Sequence, residues 1–210
     1  WLQRAGLHVT LVDVWGGGNS RSSSGDETRV IRSTYGANEL YFDMNVRALE
    51  LWKEHEPKFG KQFFFNQCVL WMCYEKEAPV VDDSIPFAQR HGIPYEFIGR
   101  DELAKRYPLI NIKDIDHAVL DRSGGYLKAR ESAAAVQELF IKEGGHYVQG
   151  KVQSVAPSGH LHSITLNSGK EIEGDLFLFA CGSWLGQLFP DVLGQVITCT
   201  RQEVYYFGTP

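Results

Sequence analysis

Two arginines three residues apart, Arg29 and Arg32, follow an acidic residue that closes an apolar run, Asp13. Between the acid and the arginines lie three glycines (Gly16, Gly17, Gly18) and four serines (Ser20, Ser22, Ser23, Ser24). Each type has a matching partner chemistry. A carboxylate accepts hydrogen bonds from both hydroxyls of a ribose, and small residues let a backbone approach a ligand closely. A guanidinium fork matches a carboxylate in two parallel hydrogen bonds. Together these residues suit a ligand with ribose, phosphate and carboxylate groups.

The elements that must hold them can be read locally. Val9, Leu11 and Val12 predict a strand over Val9–Val14, and Trp1–Ala5 followed by Gly6 reads as the last turn of a helix with its glycine. That start implies a chain cut at its N-terminus. The strand is expected to be the second of a dinucleotide-binding βαβ unit, with the first strand and its GxGxxG turn upstream. Gly16-Gly17-Gly18 follows the wrong strand to replace that turn. Plainer readings stand beside each of these. A strand-end acid is often simply solvated, and a Ser-rich loop is often simply polar. If residues 29–32 are helical, Arg29 and Arg32 share a face, with Glu27 as a solvent-side partner. Val30 and Ile31 imply partial burial instead, and a buried guanidinium needs an anion.

VTLVD, the Ser/Gly loop and TRVIRSTYG in combination resemble the FAD-dependent amine oxidases of the sarcosine oxidase and N-methyltryptophan oxidase type. These belong to the wider D-amino acid oxidase group. The resemblance implies that Asp13 binds the ribose of the AMP half of FAD. It implies that Ser22, Ser23, Ser24 and Thr28 offer hydroxyls to the pyrophosphate or the flavin edge. Arg29 would lie against the flavin ring, and Arg32 would take the substrate carboxylate with Tyr35 nearby. Val152, in the stretch 151–155, would touch the adenine, and Gly182 and Trp184 would lie by the flavin. Asp26-Glu27-Thr28 stands where the family has a shorter run, so no one serine is singled out.

The resemblance implies an enzyme that oxidises the C–N bond of an amino acid or N-methyl amino acid. Hydride would pass from the Cα or N-methyl carbon to flavin N5, with hydrolysis of the imine and reoxidation by O2 to give hydrogen peroxide. Most groups that activate oxygen and attach the flavin in this family come from a C-terminal half beyond these residues. Two alternatives stand: a flavin dehydrogenase using an electron carrier, or a silent fragment packing on a partner chain.

The rest of the chain gives an α/β fold class. A Rossmann-like FAD-binding domain (1–62 and 122–200) is expected to carry an inserted, mostly antiparallel β substrate-side domain (63–121 and 201–210). Apolar residues at three- and four-residue spacing predict a helix over 39–58, ended by Pro57 and Gly60. Strands are expected at 63–65 and 69–74, a helix over 79–91 closed by Gly92, and a short helix capped by Asp101 and stopped by Pro108. Ala118–Leu120 leads through the turn 121–125 to the clearest helix, 129–142. A strand at 146–148 precedes a meander from 151–155 with turns at Ser158-Gly159 and Ser168-Gly169. DLFLFA, 175–180, reads as a strand buried on both faces and ending in the tight turn 181–184. Residues 201–207 begin another strand.

Composition excludes several function classes. Lys and Arg number 21 against 26 Asp and Glu, for a net charge of −5, and no basic run exists, which argues against nucleic acid or an anionic membrane. No apolar stretch is long enough to span a bilayer. Cys68, Cys73, Cys181 and Cys199 show no metal-ligand spacing and read as reduced, mostly buried thiols of a cytoplasmic protein. The histidines have no acidic or nucleophilic partner at recognisable spacing, so none is assigned to catalysis.

Overall fold

The computed structural model describes residues 1–155, 159–200 and the single positions 203, 205 and 208. In chain order the first half contains β1 (Thr10–Asp13), β2 (Arg29–Ile31), α1 (Glu39–Phe59), β3 (Phe64–Phe65), β4 (Val69–Cys73), α2 (Pro79–Asp82), α3 (Ile85–Arg90) and β5 (Tyr95–Gly99). The second half contains α4 (Arg100–Arg106), β6 (His117–Asp121), β7 (Gly125–Leu127), α5 (Ala129–Lys142), β8 (His146–Gln149), β9 (Ser163–Thr165) and β10 (Glu171–Glu173). A 3-10 turn (Gly182–Trp184) then leads to α6 (Leu185–Leu188) and α7 (Pro190–Leu193).

These elements form two compact units, Trp1–Trp15 with Gly144–Pro210, and Gly16–Glu143. The bounds differ from the functional division expected from sequence, because the glycine loop, β2 and α5 are tied together inside the second unit. The amides of Ala129 and Arg130 donate to the Glu27 and Asp26 carbonyls at 3.0 and 3.1 Å. Gly17 and Gly18 approach the α5 backbone so closely that a Cβ would stand 2.6 Å from the Ala133 carbonyl oxygen and 2.3 Å from that of Arg130. Gly17 and Gly18 therefore serve helix packing.

In the first unit β1 and β8 pair in parallel, with Asp13 opposite Gln149. β9 and β10 form a hairpin around Ser168-Gly169, where Gly169 adopts a positive φ of 84°. The expected strand at 151–155 is reduced to one bridge, Val152 to Leu166. Asp175–Ala180 is not a strand, and Leu176 and Leu178 are 85% and 79% exposed. Among the described residues no strand pairs with it, and an unpaired backbone gains nothing from full extension and burial. The turn at Ser158-Gly159 falls partly, and the strand 201–207 mostly, on positions outside the described residues.

The second unit carries two three-stranded antiparallel sheets, β2-β7-β3 and β4-β6-β5. β6 is buried along its whole length as the central strand. Strand alternation sends its residues to two cores. Ala118 and Leu120 pack with Ile98, Leu103 and Ile115 on one side. Val119 packs with Cys73 and Val81 on the other, where Trp71 and Tyr95 lie against them. Helix α1 begins at Asn38, whose side chain accepts from the Tyr41 amide, and ends at Gly60 in the left-handed region, with Pro57 inside its last turn. Ser84 splits the expected helix 79–91 into α2 and α3. It is fully buried and its hydroxyl donates back to the Val80 carbonyl at 2.8 Å. Gly99 is the N-cap of α4, with Asp101 in the first turn.

Candidate functional site

Parallel strands direct ligands to their carboxyl ends, and Asp13 lies at that end of β1. Its Oδ1 accepts the Trp15 amide at 2.8 Å. The Trp15 ring stands 5.4 Å from that of Trp184. Burial, with the Asp13 charge adding, raises the pKa of the Cys181 thiol. The first unit thus gathers Asp13 and the turn containing Gly182 and Trp184, while β8, paired with β1, runs on towards Val152. Gly182 adopts a positive φ of 51° in that turn, where a side chain would strain the backbone.

Ser22, Ser23, Ser24, Thr28, Arg29, Arg32 and Tyr35 all belong to the second unit. The Ser22 hydroxyl donates to the Asn19 carbonyl at 2.9 Å, whereas Ser23, Ser24 and Thr28 are exposed. Residues 29–31 form strand β2, not a helix, because Val30 and Ile31 fit the pleated surface opposite Tyr126 and Gly125. Arg29 and Arg32 therefore do not share a helical face, and Val30 is 59% exposed. Arg29 pairs with Asp26, not Glu27, and its Nε donates to the Ser23 carbonyl at 2.7 Å. This pair is half-exposed and adds little stability.

Arg32 is held differently. Its Cζ lies 5.1 Å from the Tyr35 ring centroid and 5.4 Å from that of Trp71, within cation–π range. Its Nε is buried without a hydrogen-bond partner among the described residues. The backbone beside it is fixed by fully buried polar residues. The Ser33 amide donates to Asp121 Oδ2 at 2.9 Å, and the Thr34 hydroxyl meets the Tyr95 hydroxyl at 3.0 Å. The Tyr35 amide donates to the Ser84 hydroxyl at 3.0 Å. A single turn of chain, 32–35, is thus anchored on three sides while its one cation keeps an unmet donor.

Sequence reasoning missed the anchors. Asp121 reads as a turn residue, Trp71 as part of an apolar strand, and Tyr95 falls in a stretch to which the sequence assigns no element, observed as β5. Two histidines also have acidic partners that the sequence reading does not credit. His91 Nε2 lies 2.8 Å from Asp43 and His117 Nδ1 2.9 Å from Asp116. Both contacts lie away from the 32–35 turn in sequence and carry no catalytic assignment. Among the described residues no group of three or more His, Cys, Asp or Glu is arranged to hold a metal ion, and no helix is long and apolar enough to cross a membrane.

Burial pushes the Tyr95 phenol up to about 12, the Thr34 hydrogen bond works against that shift, and the Asp121 charge adds to it. The folded state therefore favours the protonated phenol. Its contribution to stability is complete below the unfolded value near 10 and is lost as pH rises to about 12. Tyr95→Phe is expected to reduce the loss of stability across that window, measured by urea unfolding at stepped pH. An unchanged alkaline slope would show that Tyr95 is not the responsible group.

The sequence matches the family described as FAD dependent oxidoreductase over residues 1–210. The chain belongs to that family. It is 25% identical over 208 residues to a monomeric sarcosine oxidase of Bacillus sp. (strain B-0618), covering 98% of this chain and 53% of that protein. It is 24% identical over 196 residues to an N-methyl-L-tryptophan oxidase of Yersinia pestis (strain Pestoides F), covering 90% of this chain and 51% of that protein. The chain spans about half the length of the curated relatives it matches. The fold is shared with L-proline dehydrogenase from P. horikoshii (TM-score 0.73, 20% identity, 94% of this chain and 52% of that one). It is likewise shared with a modified fructosyl peptide oxidase from Aspergillus nidulans (TM-score 0.72, 19% identity, 88% of this chain and 46% of that one).

FAD is the cofactor of this FAD-dependent oxidoreductase family, and the donor set of the first unit fits it. A carboxylate at the carboxyl end of a parallel strand matches a ribose diol. Beside it, a left-handed glycine opens a turn whose backbone a ligand can approach.

Proposed function

We propose that the full-length protein oxidises the C–N bond of an amino acid or N-methyl amino acid, using O2 and releasing hydrogen peroxide. The observation that carries this reading is Arg32, a rigidly mounted guanidinium with a buried, unpartnered Nε. A cation in that state calls for an anion, and the substrate carboxylate supplies one. The relatives named for sarcosine and N-methyl-L-tryptophan act on molecules that carry both a secondary amine and a carboxylate. Bound FAD supplies the two-electron acceptor for the C–H bond beside the nitrogen, water hydrolyses the imine, and O2 takes the electrons as hydrogen peroxide.

The residues of this chain have separate tasks in that scheme. Arg32, with Tyr35 against it, binds and orients the carboxylate so that the amine carbon meets the cofactor. Arg29 is assigned to the flavin side. Its pairing with Asp26 tempers its charge, and Ser22, Ser23, Ser24 and Thr28 border it in sequence as polar contacts. Asp13 holds the ribose hydroxyls, Val152 the adenine, and Gly182 with Trp184 the neighbouring part of the cofactor. By function, 1–62 with 122–200 forms the cofactor side, and 63–121 with 201–210 the substrate side. Four free thiols, of which Cys73 alone is buried where the sequence leads one to expect most of them to be, fit a reducing compartment such as the cytoplasm.

Two measurements test this. Anaerobic addition of an N-methyl amino acid to the FAD-loaded protein is expected to bleach the flavin absorbance, and admitting O2 to restore it with one hydrogen peroxide per turnover. Bleaching without recovery in O2 would favour an electron-carrier dehydrogenase, and no bleaching with any amino acid would end the reading. Separately, Asp13→Ala is expected to weaken FAD about tenfold through loss of charge-assisted hydrogen bonds. Unchanged FAD affinity by equilibrium dialysis would remove Asp13 from the ribose.

A further inference from the structure

Trp71 sits in the middle of β4, half-buried, on the sheet face that packs against Val81 and Cys73. Its ring lies beside the Arg32 guanidinium. Its indole Nε1 is buried and has no hydrogen-bond partner among the described residues, the same condition as Arg32 Nε. Leaving a buried N–H unsatisfied is costly, and most native donors avoid it. Two such donors on neighbouring groups, one cationic and one neutral, call for the same remedy: one acceptor with two oxygens.

We propose that Trp71 is a second donor of the anion site, its indole N–H and Arg32 Nε together binding the substrate carboxylate. This rests on the Arg32 reading above and extends it. A carboxylate has two oxygens with several lone pairs, so it can serve both N–H groups at once. The indole ring also holds the guanidinium by cation–π attraction, which orients it without consuming any of its N–H donors. A neutral leucine or valine at position 71 would offer neither the ring nor the N–H. Trp71 therefore acts twice, as a ligand to the carboxylate and as a support for the cation.

The test uses the full-length FAD-loaded protein labelled with 15N and titrated with acetate, a carboxylate with no amine to oxidise. Trp71 Nε1–H and Arg32 Nε–H signals are assigned from their loss in Trp71→Phe and Arg32→Lys. Both signals are expected to shift with a common acetate midpoint, and Arg32→Ala is expected to abolish the Trp71 shift. Trp71→Phe keeps a ring over the guanidinium but removes the N–H, and is expected to weaken acetate by roughly threefold to tenfold. If the Arg32 signal moves and the Trp71 signal does not, the proposal falls and the Arg32 reading stands. If the Trp71 shift survives Arg32→Ala, the two donors do not share an acceptor and the proposal falls. If neither signal moves, both fall.

Discussion

Replacing Asp121 by alanine is expected to lower the free energy of unfolding by about 3 kcal/mol or more. Asp121 is fully buried at the end of the central strand β6. Its Oδ1 accepts the Ser123 amide at 2.9 Å, the Ser123 hydroxyl at 2.6 Å and the Gly124 amide at 3.2 Å. Its Oδ2 accepts the Ser33 amide at 2.9 Å. Alanine leaves the Ser33, Ser123 and Gly124 amides without this acceptor, while the Ser123 hydroxyl can still turn to that of Ser33 at 3.0 Å, and each buried orphan costs about 1–3 kcal/mol. The loss should appear as a lower urea midpoint at unchanged slope. Asp121→Asn keeps the shape but turns an N–H2 group towards donors, so it should recover only part of the loss. A midpoint shift equivalent to less than about 1 kcal/mol would mean that water replaces the carboxylate, and that the network is not what fixes Ser33.

The same bond explains why so small a segment can be precise. Ser33 follows Arg32 directly, and Asp121 belongs to a different sheet from β2. One carboxylate therefore clamps the turn carrying Arg32 onto the β4-β6-β5 sheet. Its removal should also loosen the placement of Arg32, an effect that acts through position and not through contact with a ligand.

How legible this was in the sequence depends on the range of the forces. Helix α5 was read at its observed bounds, because alanine-rich propensity and a terminal glycine are local signals. Helix α1 likewise shows in its three- and four-residue apolar spacing, although Tyr41 and Met44 of that stripe are exposed and the buried residues are Phe42, Asn45 and Leu49. Strands β3 and β4 show in their aromatic and β-branched runs. Segments whose state depends on a neighbour are not decided by their own residues. Residues 29–31 look equally suited to a helix or a strand until β7 is there to pair with them. DLFLFA carries the composition of a buried strand, but pairing is supplied by another strand, not by its own residues. Ser84, reaching back to Val80, divides a helix that periodicity alone would continue.

For the candidate site the same limit applies at finer scale. Spacing identified Arg29 and Arg32 together but could not separate them. The structure does: Arg29 is paired with Asp26 and half-exposed, whereas Arg32 has ring neighbours and an orphan donor. Trp71 lies 39 positions from Arg32 and Asp121 lies 88 from Ser33. No motif of a few residues can encode contacts of that span, since they arise only when two sheets are packed. Glycines announce a close approach of the backbone, and at Gly17 and Gly18 that approach is to a helix.

The Arg32 assignment has the sharpest kinetic consequence. In the full-length FAD-loaded protein, Arg32→Ala is expected to lower kcat/KM for an N-methyl amino acid roughly tenfold to a hundredfold, equivalent to about 1.5–3 kcal/mol. The proposed cause is specific to charge and geometry: a guanidinium would offer the carboxylate a planar fork of donors that water does not reproduce. Arg32→Lys restores the charge but not the planar pair of donors, nor its stacking against Tyr35 and Trp71, so only part of the activity should return. The decarboxylated amine provides the control. It never uses the contact, so its kcat/KM should change little in either variant. Flavin absorbance should remain that of the parent, which separates lost recognition from lost cofactor. If both substrates lose activity equally, Arg32 serves the flavin or the fold, and its unmet Nε must find a different partner than the substrate.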